Sequence, residues 1–372
     1  MQKRLATLGW LVIATTVLLY APMAAEFMAR FFGGGPQLWD HAFTTVVGSD
    51  RAVGPGSIHF EQHDVYERYR WVLLTHTALA AIAISLAVFQ FTARSRVRLG
   101  VHRWIGRAQV ALTLVAMGGA MTYLVVVGPH RTFDGPAFYL QLWALAIATA
   151  VGTALGWIAI RRGHQASHRV LMAFAFAMLC TAPFLRVLYM VFGFAWPGAT
   201  QEVTNLAGGA VEAVWAPMAA ILASRMVPAA RKREHLATLP GAWLDRATLG
   251  LGAVGLAALV AAYIEVFDGL DRVTMTAAVA VGLGILLTQL NLRAAGDPVA
   301  REEWRIHAAA MLAGIPTTLV LWGVYSLGFT AEEGFYGALL TGPAVPLSLS
   351  LLLVAWRRRR PARVPSPVAV TA

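Results

Sequence analysis

The chain has 372 residues, of which 58% are hydrophobic and only 13% charged, and a formal net charge of +11. Soluble domains run at about 45–50% apolar and about 25% charged, so a mean hydropathy of +0.61 places this chain in a bilayer. The basic excess is read as loops held on the cytoplasmic face. Nucleic-acid binding is set aside because no soluble stretch is long enough to form a reader domain, and the lone Cys180 excludes an intrachain disulfide.

A spanning helix needs about 20 apolar residues. In chain order the runs 6–25, 71–92, 105–127, 137–160, 169–193, 206–227, 247–267, 273–293, 306–328 and 337–356 satisfy this. The prediction is an all-α polytopic membrane protein of about ten helices. The first run follows Lys3 and Arg4 and is read as an uncleaved helix rather than a signal peptide, because no good cleavage site follows it. The only long connection, 26–70, carries the breakers "FFGGGP" and "VGPGS" and is read as a loop. When alternate ends are compared, 23 of the 30 basic residues fall on one side and six on the other, with Arg186 inside a run. This predicts a plasma-membrane protein with both termini cytoplasmic and the loop 26–70 extracytoplasmic.

Helices three to five resemble helices seven to nine. Arg107 to His168 and Arg246 to His307 are each 61 residues apart, and both histidines precede a methionine by four positions, Met172 and Met311. The offset is 139 and both copies run in the same direction. The expectation is two parallel four-helix units flanked by single helices. The chain then divides into 1–70 (first helix and outer loop), 71–193 (the His/Arg-bearing unit), 206–328 (a degenerate copy) and 337–372 (last helix and basic tail). The second copy keeps fewer polar groups, with His76 falling on Trp215 and His102 on Gly241.

Within the first unit, "HTALAAIAISLAVFQF", "VHRWIGRAQV" and "SHRVLMAFAF" through "FLRVLY" carry a pattern. It comprises His76, Gln90, Phe91, His102, Arg103, Gly106, Arg107, His168, Arg169 and Arg186. This pattern, over roughly 71–193, resembles a membrane-protein family known as domain of unknown function 2306. The resemblance implies a polytopic fold and singles out these positions, but it brings no established activity.

The candidate site has two parts. In the outer half, His76 and Arg186 lie about 9 and 10 Å inside their helices at 1.5 Å per residue. Glu212, Tyr123 and Gln141 fall at comparable levels. Intramembrane charge is costly and faces a partner or a cavity. Two readings follow: a structural Arg186–Glu212 pair, or a pocket in which Arg186 holds an anion or a quinone carbonyl and His76 exchanges a proton. At the inner end, His102, Arg103, Arg107, His168 and Arg169 open their helices. Two histidines at one level could ligate haem b, with arginines for its propionates, or the group anchors loops in interfacial water. Outside the membrane, His59, His63 and Glu67 would share one face if helix two extended outward, a weak zinc or copper set. The leading expectation is a redox or quinone-linked membrane protein with haem b in the first unit. The alternatives are a proton-coupled transporter of a small anionic solute and a non-catalytic membrane subunit. Against transport, Pro183 and Pro217 do not match Pro316 and Pro343 in depth.

Overall fold

The computed structural model describes residues 2–92, 95, 97–225 and 242–359. Its helices are α1 (Gln2–Phe27), α2 (Leu38–Val47), α3 (Ser49–Val53), α4 (Ile58–Glu61), α5 (His63–Arg68), α6 (Arg70–Phe91), α7 (Leu99–Val127), α8 (Gly135–Arg161), α9 (Gln165–Leu179), α10 (Thr181–Ala195), α11 (Gln201–Arg225), α12 (Ala242–Val266), α13 (Arg272–Ala294), α14 (Pro298–Tyr325), α15 (Ala331–Thr341) and α16 (Ala344–Arg357). Among the described residues, ten segments are long and apolar enough to cross a membrane. Among the described residues there is no strand. This is a membrane protein of the helical class, as the composition requires.

Two of the ten spans are interrupted near their middles beside a proline, but the backbone stays helical through each joint, at Cys180 and at Gly342–Pro343, and the Cys180 amide still bonds the Phe176 carbonyl at 2.9 Å. Gln165–Ala195 divides into α9 and α10 at Cys180, and Ala331–Arg357 divides into α15 and α16 at Gly342–Pro343. Proline has no amide hydrogen, so Pro183 leaves the Leu179 carbonyl, and Pro343 the Leu339 carbonyl, without the helical partner four residues on. Thr181 Oγ1 donates to the Met178 carbonyl at 2.7 Å and ties the first joint together. At the second, the approach of α14 demands glycine: a β-carbon on Gly314 would lie 3.1 Å from Pro343 Cα. Pro22, Pro217 and Pro316, by contrast, sit inside continuous helices.

The helix α11 runs through the centre. It packs on α9 and α10 on one side, on α13, α15 and α16 on the other, and on α8. The close pass of α8 is set by Gly209, where any side chain would overlap the Gln141 amide oxygen. Small residues at such crossings let backbones approach in a bilayer, where burial alone offers little drive. The helices α9 and α16 touch, and Ser167 Oγ donates to the Ala355 carbonyl at 2.6 Å between them.

The basic end is bolted by ion pairs. Glu303 of α14 accepts from Arg225 and, with both oxygens, from Arg358, while Arg357 donates to Glu302 at 2.7 Å. Arg358 NH1 also donates to the Ser224 carbonyl at 3.0 Å, so α11, α14 and the end of α16 are joined.

Two expectations change. The packing does not confirm the repeat. In the first half, α6 packs on α7, α7 on α8 and α8 on α9. In the second, α11 packs chiefly on α13 and α12 on α14. The segment 26–70 is also not an open loop. Trp39, Phe43, Ile58 and Val65 are buried, and α2–α5 form a cap over one end of the bundle. Arg30 bonds to Asp40 at 2.6 Å and to His59 at 2.8 Å, and Gln201 of α11 accepts from the Ile58 amide at 2.8 Å.

Candidate functional site

Arg186 lies on α10, two turns past the Cys180 joint. Its guanidinium carbon is 5.0 Å from the Tyr189 ring centroid and 5.7 Å from that of Trp39, which the cap supplies. Cations are held over aromatic faces by the ring quadrupole. Its charge is also felt by Tyr20 of α1, Tyr66 of α5 and Glu212 of α11. Arg186, Tyr20 and Tyr66 all keep partial exposure.

Glu212 sits midway along α11 and is 5% exposed. The Glu212 carboxyl meets the Leu185 backbone of α10 but no side-chain hydrogen-bond partner, and no ion pair within 4 Å joins it to Arg186. The expected structural pair is therefore not formed, although the two groups sense each other's charge. Glu212 is also within electrostatic reach of Cys180, so the carboxyl lies beside the joint in span five. Gln141 donates to the Gly209 carbonyl at 2.9 Å, and its own Oε1 is buried and unpartnered. A polar strip on α8 and α11 thus leads away from Glu212.

A second polar chain leaves Tyr189. Its hydroxyl donates to Asn205 Oδ1, and Asn205 Nδ2 donates to Asp134 Oδ2. Asp134 caps α8 from the left-handed region, φ 59°, which aspartate and asparagine tolerate better than other side chains. Burial holds the Asp134 carboxyl well above the usual carboxylate range, against the opposing hydrogen bond from Asn205. Burial likewise pushes the Tyr66 hydroxyl up to about 12, despite the nearby Arg186 charge. Tyr123 is buried and packs edge-on to Tyr66, centroids 6.3 Å apart. The outer candidates Arg186, Glu212, Tyr123 and Gln141 therefore belong to one neighbourhood. Sequence reasoning did not reach Trp39, Tyr66 and Asn205, because the contacts come from the cap and from a residue that looks like ordinary helix interior.

His76 stands apart. Its Nδ1 lies 3.0 Å from the Ala116 carbonyl of α7, and no hydrogen bond or ion pair connects it to Arg186. A ring that donates from Nδ1 presents Nε2 as an acceptor. His168 repeats the arrangement at the basic end, with Nδ1 2.9 Å from the Gly156 carbonyl of α8. His102 lies within electrostatic reach of His168, and its Nδ1 is 3.4 Å from Ser95 Oγ. Gln90 donates to the His102 carbonyl at 3.0 Å, so two of the motif positions brace each other. Arg103, Arg107 and Arg169 are exposed, Arg107 lying 5.3 Å over the Trp104 ring.

The metal set expected in the segment 26–70 is corrected. Helix two does not extend outward: α4 ends at Gln62 and α5 at Tyr69, so His59, His63 and Glu67 do not share a continuous helical face. His59 is engaged by Arg30 and Asp40, and the His63 ring packs on Phe31. Among the described residues, no three His, Cys, Asp or Glu side chains converge in a metal-binding arrangement.

Residues 73–222 match the family model described as Predicted membrane protein (DUF2306). The matched region runs from α6 through most of α11 and so contains His76, His102, His168, Arg186 and Glu212. No curated protein and no solved structure matches the chain.

Proposed function

We propose that this membrane protein is a carrier that moves a small anionic solute together with a proton. One observation carries the reading: the Glu212 carboxyl is buried on the central helix without an ion-pair partner, next to a span interrupted by a proline joint near its middle. Secondary carriers place their binding sites at charged groups beside irregular points near the middles of their spans. A carboxyl with no ion-pair partner takes up and releases a proton without first breaking a salt bridge. Arg186, held over aromatic faces but free of an ion pair, supplies the positive charge for the anion. One anion at Arg186 and one proton on Glu212 travel together, so no net charge crosses. The same reading sets the basic end in the cytoplasm and the α2–α5 cap outside the plasma membrane, supported by the arginine distribution.

The test uses proteoliposomes loaded with a pH-sensitive dye and offered a panel of monocarboxylates and inorganic phosphate. The expected result is lumenal acidification driven by at least one anion and abolished by Glu212→Gln. Folded wild-type protein that moves protons with none of them would overturn the reading. Orientation is checked with Thr45→Cys, which should react with an impermeant maleimide on intact cells.

A second reading rests on a different observation. His168 presents an Nε2 acceptor with Nδ1 fixed by the Gly156 carbonyl, the arrangement of a ligating imidazole, and His102 lies within electrostatic reach of it. His102 and His168 would hold a haem b at the basic end, with Arg103, Arg107 and Arg169 for its propionates. Such a group would supply one-electron chemistry. A reduced-minus-oxidised spectrum of protein from haem-replete cells, together with an organic extract for quinone, decides it; an absent Soret band and an empty extract reject it.

A further inference from the structure

At the basic end, α8, α9 and α16 enclose a cleft. Arg162, His164, Trp356 and Arg359 line its mouth, and Leu155 and Leu352 are among its apolar walls. The run of arginines that ends α16 divides sharply in its use. Arg357 and Arg358 turn inward onto Glu302 and Glu303. Arg359 does not: among the described residues, neither it nor Arg162 has an ion-pair partner, and no acidic side chain lines the cleft. Both guanidinia are exposed, as is Trp356 at 57%. The floor is fixed by the Ser167 to Ala355 hydrogen bond, so the cleft's walls are held together rather than assembled by a ligand.

The geometry points to a site for the phosphodiester headgroup of an anionic lipid. Two arginines without ion-pair partners among the described residues and an imidazole line the same cleft, and guanidinium groups bind phosphate oxygens in bidentate fashion. Leu155 and Leu352 continue the cleft into the apolar surface, where an acyl chain lies against them. Trp356 stands at the level that tryptophan takes at membrane interfaces. Basic pockets between spans on this kind of face are where anionic lipid headgroups bind. The inference is independent of the carrier reading and stands or falls without it.

The experiment titrates detergent-purified full-length protein with dioleoylphosphatidylglycerol, with dioleoylphosphatidylcholine and with inorganic phosphate, and reads bound species by native mass spectrometry. At roughly fivefold per arginine near an anionic surface, the glycerol lipid should bind about 30-fold more tightly than the choline lipid. The double variant Arg162→Gln/Arg359→Gln should bring the two lipids to equal affinity. Arg161→Gln, whose guanidinium lies 5.9 Å over the Trp157 ring and outside the cleft lining, should leave the preference unchanged. Equal affinity for the two lipids in wild type overturns the proposal, and this arm needs no variant to fold. An Arg161→Gln loss as large as that of the double variant overturns it in favour of general surface charge. Binding of inorganic phosphate as tight as that of the glycerol lipid overturns the lipid source.

Discussion

Arg358 grips Glu303 with two parallel hydrogen bonds, Nε to Oε1 at 2.9 Å and NH2 to Oε2 at 2.7 Å. Both side chains are almost fully enclosed, at 1% and 3% exposure. A buried pair of this kind contributes little net stability compared with apolar packing, but removing one partner leaves an uncompensated charge. Glu303→Ala strands Arg358 and deprives Arg225 as well. It should cost about 3–5 kcal/mol, read as a large drop in the detergent thermal midpoint. A shift within the error of the melt would mean that the cluster is solvated.

Glu212→Gln should do the opposite to stability while abolishing function. The wild-type carboxyl has no ion-pair or side-chain partner to lose, and burying a charge is far costlier than burying an amide. The thermal midpoint should hold or rise, and anion-driven acidification should disappear. A marked fall in the midpoint would show that the carboxyl is a structural acceptor.

Asp134 gives stability a pH dependence of defined sign. Its folded carboxyl binds the proton more tightly than the ordinary value of 3.8. Its contribution is therefore complete below that value and is lost as pH rises through the folded one. Asp134→Asn fixes the neutral form, suits φ 59° and still offers an oxygen to Asn205. The variant should match wild type near pH 4 and exceed it increasingly toward pH 8. Parallel melting curves across that range would remove the buried-carboxyl account.

Asp271 behaves in reverse. It is partly buried, which favours the neutral form, but hydrogen bonds from the Thr274 side chain and amide and from the Val273 amide outweigh this and lower its value. Its stabilisation is present above the ordinary carboxylate value and lost as pH falls through the folded one. Asp271→Ala removes the cap of α13 and should cost about 1 kcal/mol at neutral pH. Hydrogen exchange in the first turn of α13 should speed up accordingly, and the difference from wild type should shrink in acid.

The spans and the basic end were legible because hydropathy and arginine placement are summed over 20 residues at a time. The joints were not. Six prolines lie in the interiors of spans, yet Pro22, Pro217 and Pro316 are absorbed by continuous helices while Pro183, Pro343 and Pro346 accompany interruptions. Whether a freed carbonyl is tolerated depends on neighbours that sequence does not reveal; only Gly342 before Pro343 gives a local sign. The cap escaped notice because its helices are 4–10 residues long, too short for a period to show. Arg186 and Glu212 were found by the cost of charge at depth. Their aromatic and amide company was not, since Trp39, Tyr66 and Asn205 are ordinary residues until the tertiary fold assembles them.

The chain's single thiol lies at the first joint, 5% exposed, between α9 and α10. No background labelling from other cysteines arises, so the unaltered sequence already carries a reporter at the middle of span five. If the joint flexes during turnover, Cys180 alternates between sealed and water-reached, and its alkylation rate becomes a clock for that motion. Comparing a reagent added from one side of a vesicle with the same reagent added from the other would say which way the joint faces at rest.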